Sequence, residues 1–293
     1  MSQVRVAVDI MGGDHAPQAV SHALIAHAIK TPDVMYYAIG MPEILSQYFA
    51  TRPNNIQLCP VEHAVAMDMS VADASKLGAS SSIGKAIELL KAKEVDCVVS
   101  AGNTAALMSI AYLTLKTLPD VRRPTILASI EYKANKTMVT DLGANIVCKP
   151  EDLLSNAKVA VGVHRKSNPT VALLNVGTEA SKGTPVIKEA AKLLEASDIN
   201  YQGFVEGCGI INAKHDIVVC DGFVGNCTTK LMESVIELLR ASGVDEHELP
   251  RVQNAALLAG LNGHVYKIHG SAKREGFELA FNDILTQLDT IPA

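Results

Sequence analysis

One pattern recurs along the chain. A short run rich in β-branched residues leads into a loop of glycine and small polar residues, and a longer stretch with helical spacing follows. Strands that run parallel need long crossovers, usually helical. The rhythm therefore predicts a three-layer α/β/α protein with a largely parallel, mixed sheet buried on both faces. Strands are expected at residues 4–8, 34–39, 56–59, 95–100, 125–130, 138–141, 170–174 and 217–220. Helices are expected at 19–29, 82–92, 104–117, 150–164, 185–195, 224–239 and 272–288. The final helix spaces Phe277, Phe281, Ile284, Leu285 and Leu288 along one stripe, with Ser271 as its N-cap. No repeat, low-complexity tract or Pro/Gly/Ser-rich linker divides the 293 residues, so a single body spanning 1–293 is expected. The polar segment 241–250, closed by Pro250, reads as a surface connection.

Charge and hydropathy remove several classes of function. Lys and Arg number 26 against 31 Asp and Glu, a net charge of −5, which excludes a charge-driven nucleic-acid clamp. With 48% hydrophobic and 19% charged residues, the chain is too apolar for disorder. No stretch approaches the roughly 18 apolar residues of a membrane span. Asp9 interrupts any signal-peptide core, so a cytoplasmic location is expected. The six cysteines, Cys59, Cys97, Cys148, Cys208, Cys220 and Cys227, form no CxxC pair and read as reduced core thiols.

Three segments share a strand, a small-residue loop and a following helix: 97–104, 173–183 and 218–226. The first N–H groups of a helix lack partners and carry partial positive charge, so such junctions favour an anion. In open α/β sheets, ligands bind beyond the carboxyl ends of the strands, where all three loops would lie. The candidate contacts are Gly102, Asn103 and Thr104 in the first loop, and Gly177 and Gly183 in the second. Asp221, Gly222 and Gly225 are those of the third. Lys182 is the only cation of the second loop and is placed to meet phosphate or oxyanion charge. The turn with Gly12, Gly13 and Asp14 lines the same cleft or simply folds the chain. Asp9 and Asp14 form the kind of carboxylate pair that attracts Mg²⁺, yet Asp14 is equally a natural N-cap, and no metal or cofactor is expected.

Other signatures fail. Gly78 to Ala86 approaches a Walker A loop but has five residues where four are required, and Ala86 follows Lys85. Gly207-Cys208-Gly209-Ile210-Ile211-Asn212 lacks the third glycine of a dinucleotide fingerprint. No GxSxG or HExxH motif is present.

At residues 9–17, 100–108, 141–145, 174–183 and 221–226 the sequence resembles the phosphate acyltransferases of the PlsX family, with weaker similarity from Arg5 through Ser271. The resemblance implies a fold like the isocitrate and isopropylmalate dehydrogenases and a homodimer. It further implies transfer of an acyl group from acyl-acyl carrier protein to inorganic phosphate, giving acyl phosphate for phospholipid synthesis. It places the family's catalytic lysine on Lys182 and its catalytic asparagine on Asn226, with phosphate near Gly102, Asn103 and Thr104. Four features differ from the family's pattern. The segment 74–81 lacks a basic run, Ala105 replaces a glycine, residues 205–209 lack the Arg-Asp pair usual after the glycine, and the chain is short between Arg240 and Ala255, where the family carries an amphipathic hairpin. At most weak peripheral membrane association is therefore expected. Two further readings stay open on these differences: a non-catalytic paralogue that binds phosphate or acyl phosphate, and an acyltransferase using another thioester such as acyl-CoA.

Overall fold

The computed structural model describes residues 3–288. The chain forms two compact units, one built from the segments up to Leu118 and from Asn254 onward, the other from residues 119–253. The first segment of the first unit runs β1 (Val4–Asp9), α1 (Gln18–Lys30), β2 (Val34–Gly40), α2 (Pro42–Phe49), β3 (Ile56–Pro60), α3 (Val71–Leu77), α4 (Ser82–Lys91), β4 (Cys97–Ser100) and α5 (Thr104–Leu115). The second unit runs β5 (Thr125–Tyr132), β6 (Asn135–Thr140), α6 (Pro150–Val163), β7 (Val171–Leu174), α7 (Pro185–Glu195), β8 (Tyr201–Val205), α8 (Cys208–Ile211), β9 (Ile217–Val219), α9 (Gly222–Ala241) and β10 (Arg251–Val252). The chain then returns to the first unit with β11 (Ala255–Ala259), β12 (His264–Ile268) and α10 (Arg274–Leu288).

In the first unit the strand order is β3-β2-β1-β4-β12-β11. All pairs are parallel except β11 with β12. β4 is buried at every residue, and β1 from Val6 to Asp9, as a strand covered on both faces requires. The chain steps outward from β1 to β3 and then crosses back to β4 on the far side of β1. Right-handed crossovers in opposite directions place their helices on opposite faces. Accordingly α1 packs with α2 and α10, while α5 packs with α3 and α4. The order reverses between β1 and β4, so the ligand end of this unit lies beyond Asp9 and Ser100.

The second unit has the order β5-β6-β9-β7-β8, with β5 antiparallel to β6 and the rest parallel, and with β10 on β5. Its core follows from spacing. Leu153, Ala157 and Ala160 share one stripe of α6 and meet Val171 and Leu173 of β7, Ile217 and Val219 of β9, and Ala190 and Leu194 of α7. Each fully buried branched side chain contributes on the order of 2 kcal/mol.

All eight expected strands and all seven expected helices form, within a few residues of their expected bounds. Four strands and three helices were not expected. β11 is Ala-Ala-Leu-Leu-Ala, a helix-favouring string held extended by pairing with β12, and β8 carries Gly203. α2, α3 and α8 span at most eight residues, too few to show a period. Ser271 does not cap α10, which begins at Arg274; its hydroxyl pairs with His269 Nδ1 at 2.8 Å. Of the six cysteines, Cys97, Cys148 and Cys220 are core thiols, whereas Cys208 and Cys227 are exposed. Residues 241–248 are exposed, as a surface connection should be. Among the described residues no helix is long and apolar enough to cross a membrane.

Candidate functional site

In the first unit the turns after β1, β4 and β12 converge. Asp9 is fully buried; its Oδ1 accepts the Met11 N–H at 3.0 Å and its Oδ2 accepts the Ser100 hydroxyl at 2.7 Å. Ser100 Oγ in turn accepts the Gly102 N–H at 3.0 Å. A Cβ on Gly12 would lie 2.5 Å from the Gly102 nitrogen and 2.6 Å from Asp9 Oδ2, so only glycine lets these two turns touch backbone to backbone. Gly13 sits against Ala101, and the Asp14 N–H donates to the Gly270 carbonyl at 2.8 Å. Asp14 itself is exposed and is not a helix cap, because α1 starts at Gln18 after Pro17.

Asn103 caps α5 through Oδ1 on the Ala106 N–H at 3.1 Å. Its Nδ2 donates to the Met67 and Met69 carbonyls at 2.9 and 3.1 Å. Its side chain is thus a clamp rather than a free donor. The Gly102 N–H is likewise spent on Ser100. The orphan donors of this loop are those of the first helical turn, at Thr104 and Ala105.

Lys267, at the end of β12, was not singled out from the sequence. Its Nζ donates to the Ala101 carbonyl at 3.2 Å and to the Ile268 carbonyl. Burial drags this ammonium down to about 8, with Asp14 and Asp9 favouring the charged form. Burial also pushes the Asp9 carboxyl up, opposed by the Ser100 hydrogen bond, the Met11 N–H and Lys267. The one signal in sequence is a lysine between Tyr266 and Ile268, both buried, immediately before the turn of Gly270.

In the second unit the organiser is Asp141, just past β6 and fully buried. Its Oδ1 accepts N–H groups of Ile126, Gly143 and Ala144 at 3.1, 3.1 and 2.9 Å. Its Oδ2 accepts the backbone and side-chain N–H groups of Asn145 at 2.7 and 2.9 Å. Burial raises its carboxyl and these donors pull it back. The Asn145 carbonyl accepts the Gly222 N–H at 2.8 Å, and Asp221 caps α9 through the Val224 N–H at 2.9 Å. A Cβ on Gly225 would collide with the Asp141 carbonyl oxygen, so glycine seats the first turn of α9 directly on the turn at 141–145.

That seating fixes Asn226. Its Nδ2 donates to the Leu142 carbonyl at 3.1 Å, which leaves the second amide N–H unspent. Lys182 closes a turn through its N–H on the Glu179 carbonyl at 3.0 Å; its side chain is exposed, with no ion-pair partner among the described residues. Buried Gly177 lies beside the Lys182 stem and Gly183 against Asn175. The loops of Lys182 and Asn226 leave β7 and β9, which are neighbouring parallel strands, so both emerge at the same edge of this unit. Burial pushes the Cys148 thiol up to about 12 and Cys220 higher still, which makes both poor nucleophiles near neutral pH. Among the described residues no three His, Cys, Asp or Glu side chains gather as a metal site.

These two units are doubly wound α/β assemblies whose polar turns gather at strand carboxyl ends. The solved structures with this fold include a phosphotransacetylase from Streptococcus pyogenes, with a TM-score of 0.70, 17% identity and coverage of 99% of this chain and 95% of that one. A 4-hydroxythreonine-4-phosphate dehydrogenase from Klebsiella pneumoniae superposes with a TM-score of 0.61 at 14% identity, covering 99% of each chain. The family model described as fatty acid synthesis protein matches residues 4–248. A phosphate acyltransferase of Pseudomonas putida (strain GB-1) is 37% identical, over 98% of this chain and 95% of that protein. One from Methylococcus capsulatus is 37% identical over 93% and 89%. The chain belongs to this family, whose curated relatives are phosphate acyltransferases.

Proposed function

We propose that this protein is a phosphate acyltransferase that moves an acyl group from acyl-acyl carrier protein to inorganic phosphate, releasing acyl phosphate for phospholipid synthesis. The observation that carries the reading is the pair of unspent donors, the Lys182 ammonium and the second Asn226 N–H, on loops of adjacent strands in a chain of this family. A phosphate oxygen attacks the thioester carbonyl carbon. The C–O bond forms, the C–S bond breaks, and the thiolate leaves and takes up a proton. Lys182 and Asn226 offset the repulsion between the anionic nucleophile and the growing oxyanion, about 3 kcal/mol for one well-aimed donor. In the first unit the unpartnered N–H groups at Thr104 and Ala105 are donors suited to an anion. The Gly102 N–H and the Asn103 side chain shape that turn. No covalent enzyme intermediate is required. The reading includes a cytoplasmic homodimer.

The test is thiol release from a long-chain acyl-carrier protein with and without phosphate, for the natural protein and Lys182→Ala. Phosphate-dependent release that the substitution abolishes supports the assignment; full-rate release without phosphate overturns it. A second donor is favoured by one observation. In α3 the only cation, Lys76, is paired with Asp73 at 2.8 Å and offers little to an acidic carrier protein. Faster turnover of acyl-CoA than of acyl-carrier protein would transfer the reading to that thioester.

A further inference from the structure

Lys267 is half-buried, yet its ammonium has no carboxylate within ion-pair distance among the described residues; its partners are two backbone carbonyls. The nearby acids favour its charged form without pairing with it. Both oxygens of Asp9 are engaged, by the Met11 N–H and the Ser100 hydroxyl, and Asp14 is exposed on the turn after β1. A charge held away from water without a counter-charge is costly unless something anionic completes it. The carbonyl that Lys267 grips belongs to Ala101, two residues before the cap of α5, so the same side chain fixes the turn whose orphan N–H groups face the strand ends. β1, β4 and β12 are adjacent parallel strands, which brings Lys267, Gly12 and Gly102 to the carboxyl edge at the reversal of strand order.

We infer that Lys267 is a phosphate-binding residue of the first unit, its third N–H directed to the anion while the other two hold the Ala101 and Ile268 carbonyls. The inference rests on the proposed transfer to phosphate and adds a specific contact to it. The groups acting on Lys267 are Asp9 from β1, Asp14 from the turn after it, the Ala101 carbonyl after β4 and the Ile268 carbonyl of its own strand. With the ammonium titrating near 8, affinity for phosphate should fall as pH rises through that value, a range in which phosphate is already mostly the dianion.

Two readouts on the full chain test this. The first is the phosphate KM and kcat of thiol release from about pH 7 to about pH 10, in the natural protein, Lys267→Arg and Lys267→Met. Loss of one charge-assisted hydrogen bond predicts a phosphate KM at least about tenfold higher in Lys267→Met, with kcat changed far less. Lys267→Arg should retain phosphate binding at neutral pH and lose the alkaline decline, because guanidinium stays charged. The second readout is the rise in Tm caused by inorganic phosphate alone, which reports binding without turnover. It should be present in the natural protein and much smaller at the same phosphate concentration in Lys267→Met. A KM within twofold of the natural value in folded Lys267→Met overturns the inference, as does an unshifted alkaline limb in Lys267→Arg. Should Lys267→Met fail to fold, the pH profile of Lys267→Arg decides. Absence of thiol release in the natural protein counts against the transfer reaction alone, since the phosphate-induced Tm shift still reads Lys267.

Discussion

At the strand ends of the first unit Asp9 is buried, holding a hydroxyl and an N–H, and Lys267 is half-buried, gripping two carbonyls, whereas in the second unit the lysine is exposed. There the buried charge is Asp141, and five N–H donors satisfy it. The difference separates two tasks. A partly buried cation has a fixed position and a shifted pKa, which suits holding an anion in one place. An exposed lysine on a turn keeps freedom to move, which suits meeting charge that grows during a reaction. What the two ends share is construction: in each, one carboxylate organises turns and one glycine lets backbones touch.

The largest effect expected is on turnover in the second unit. Asn226→Asp exchanges a donor for a negative charge where oxyanion density rises, and should cut kcat at least as far as the ~10²–10³-fold typical of losing one such donor. Lys182→Ala should approach the same loss while leaving Tm unchanged, because its side chain is exposed. Rapid thiol assays beside thermal melts check both. A Tm that falls sharply with Lys182→Ala would break the contrast between an exposed mobile cation and a half-buried fixed one.

Next in size are the two contact glycines. Gly12→Ala and Gly225→Ala each force apart backbones that now touch and should destabilise by about 3 kcal/mol, read from urea midpoints. Ser100→Ala follows at about 2 kcal/mol, because it removes a donor from buried Asp9 and an acceptor from Gly102 together. If Gly12→Ala is neutral while Gly225→Ala is not, the turns of the first unit are looser than its hydrogen bonds imply, and the contrast between the units reverses.

Much of this was legible in the chain and part was not, for physical reasons. Long amphipathic stretches such as that of α7 and apolar runs such as Cys97-Val98-Val99 announce their state through period and burial, and the glycine loops announce strand-to-helix turns. β12 did not, because His264 and Lys267 interrupt an otherwise apolar strand, and the lysine is tolerated only through carbonyls that come from tertiary contact. Asp141 was visible as a motif residue, but its five donors come from residues as far apart in sequence as Ile126 and Asn145. Gly102 and Asn103 were rightly placed on a helix-start loop. That the Gly102 N–H and the Asn103 side-chain amide are already spent depends on Ser100, Met67 and Met69, whose positions no spacing rule supplies.

The smallest effect concerns a buried histidine in the first unit. His27 joins α1, β2 and α10: its Nδ1 lies 2.8 Å from the Tyr36 hydroxyl and its Nε2 3.2 Å from Asn282 Oδ1. Burial lowers its pKa below the ordinary value of 6.5, with Asn282 opposing the shift. The sign follows directly. As pH falls below about 6.5 the unfolded chain takes up a proton that the folded chain refuses, so the stability present above that pH is lost on acidification. The loss should be on the order of 1 kcal/mol between about pH 7.5 and about pH 5.5, and other buried histidines, His215 among them, contribute in the same direction. Subtraction isolates His27: in His27→Gln the acid-induced drop in urea midpoint should be smaller than in the natural protein, although His27→Gln is less stable at neutral pH. An equal drop in both would mean that His27 is protonated in the folded state, with Asn282 Oδ1 accepting from a charged ring.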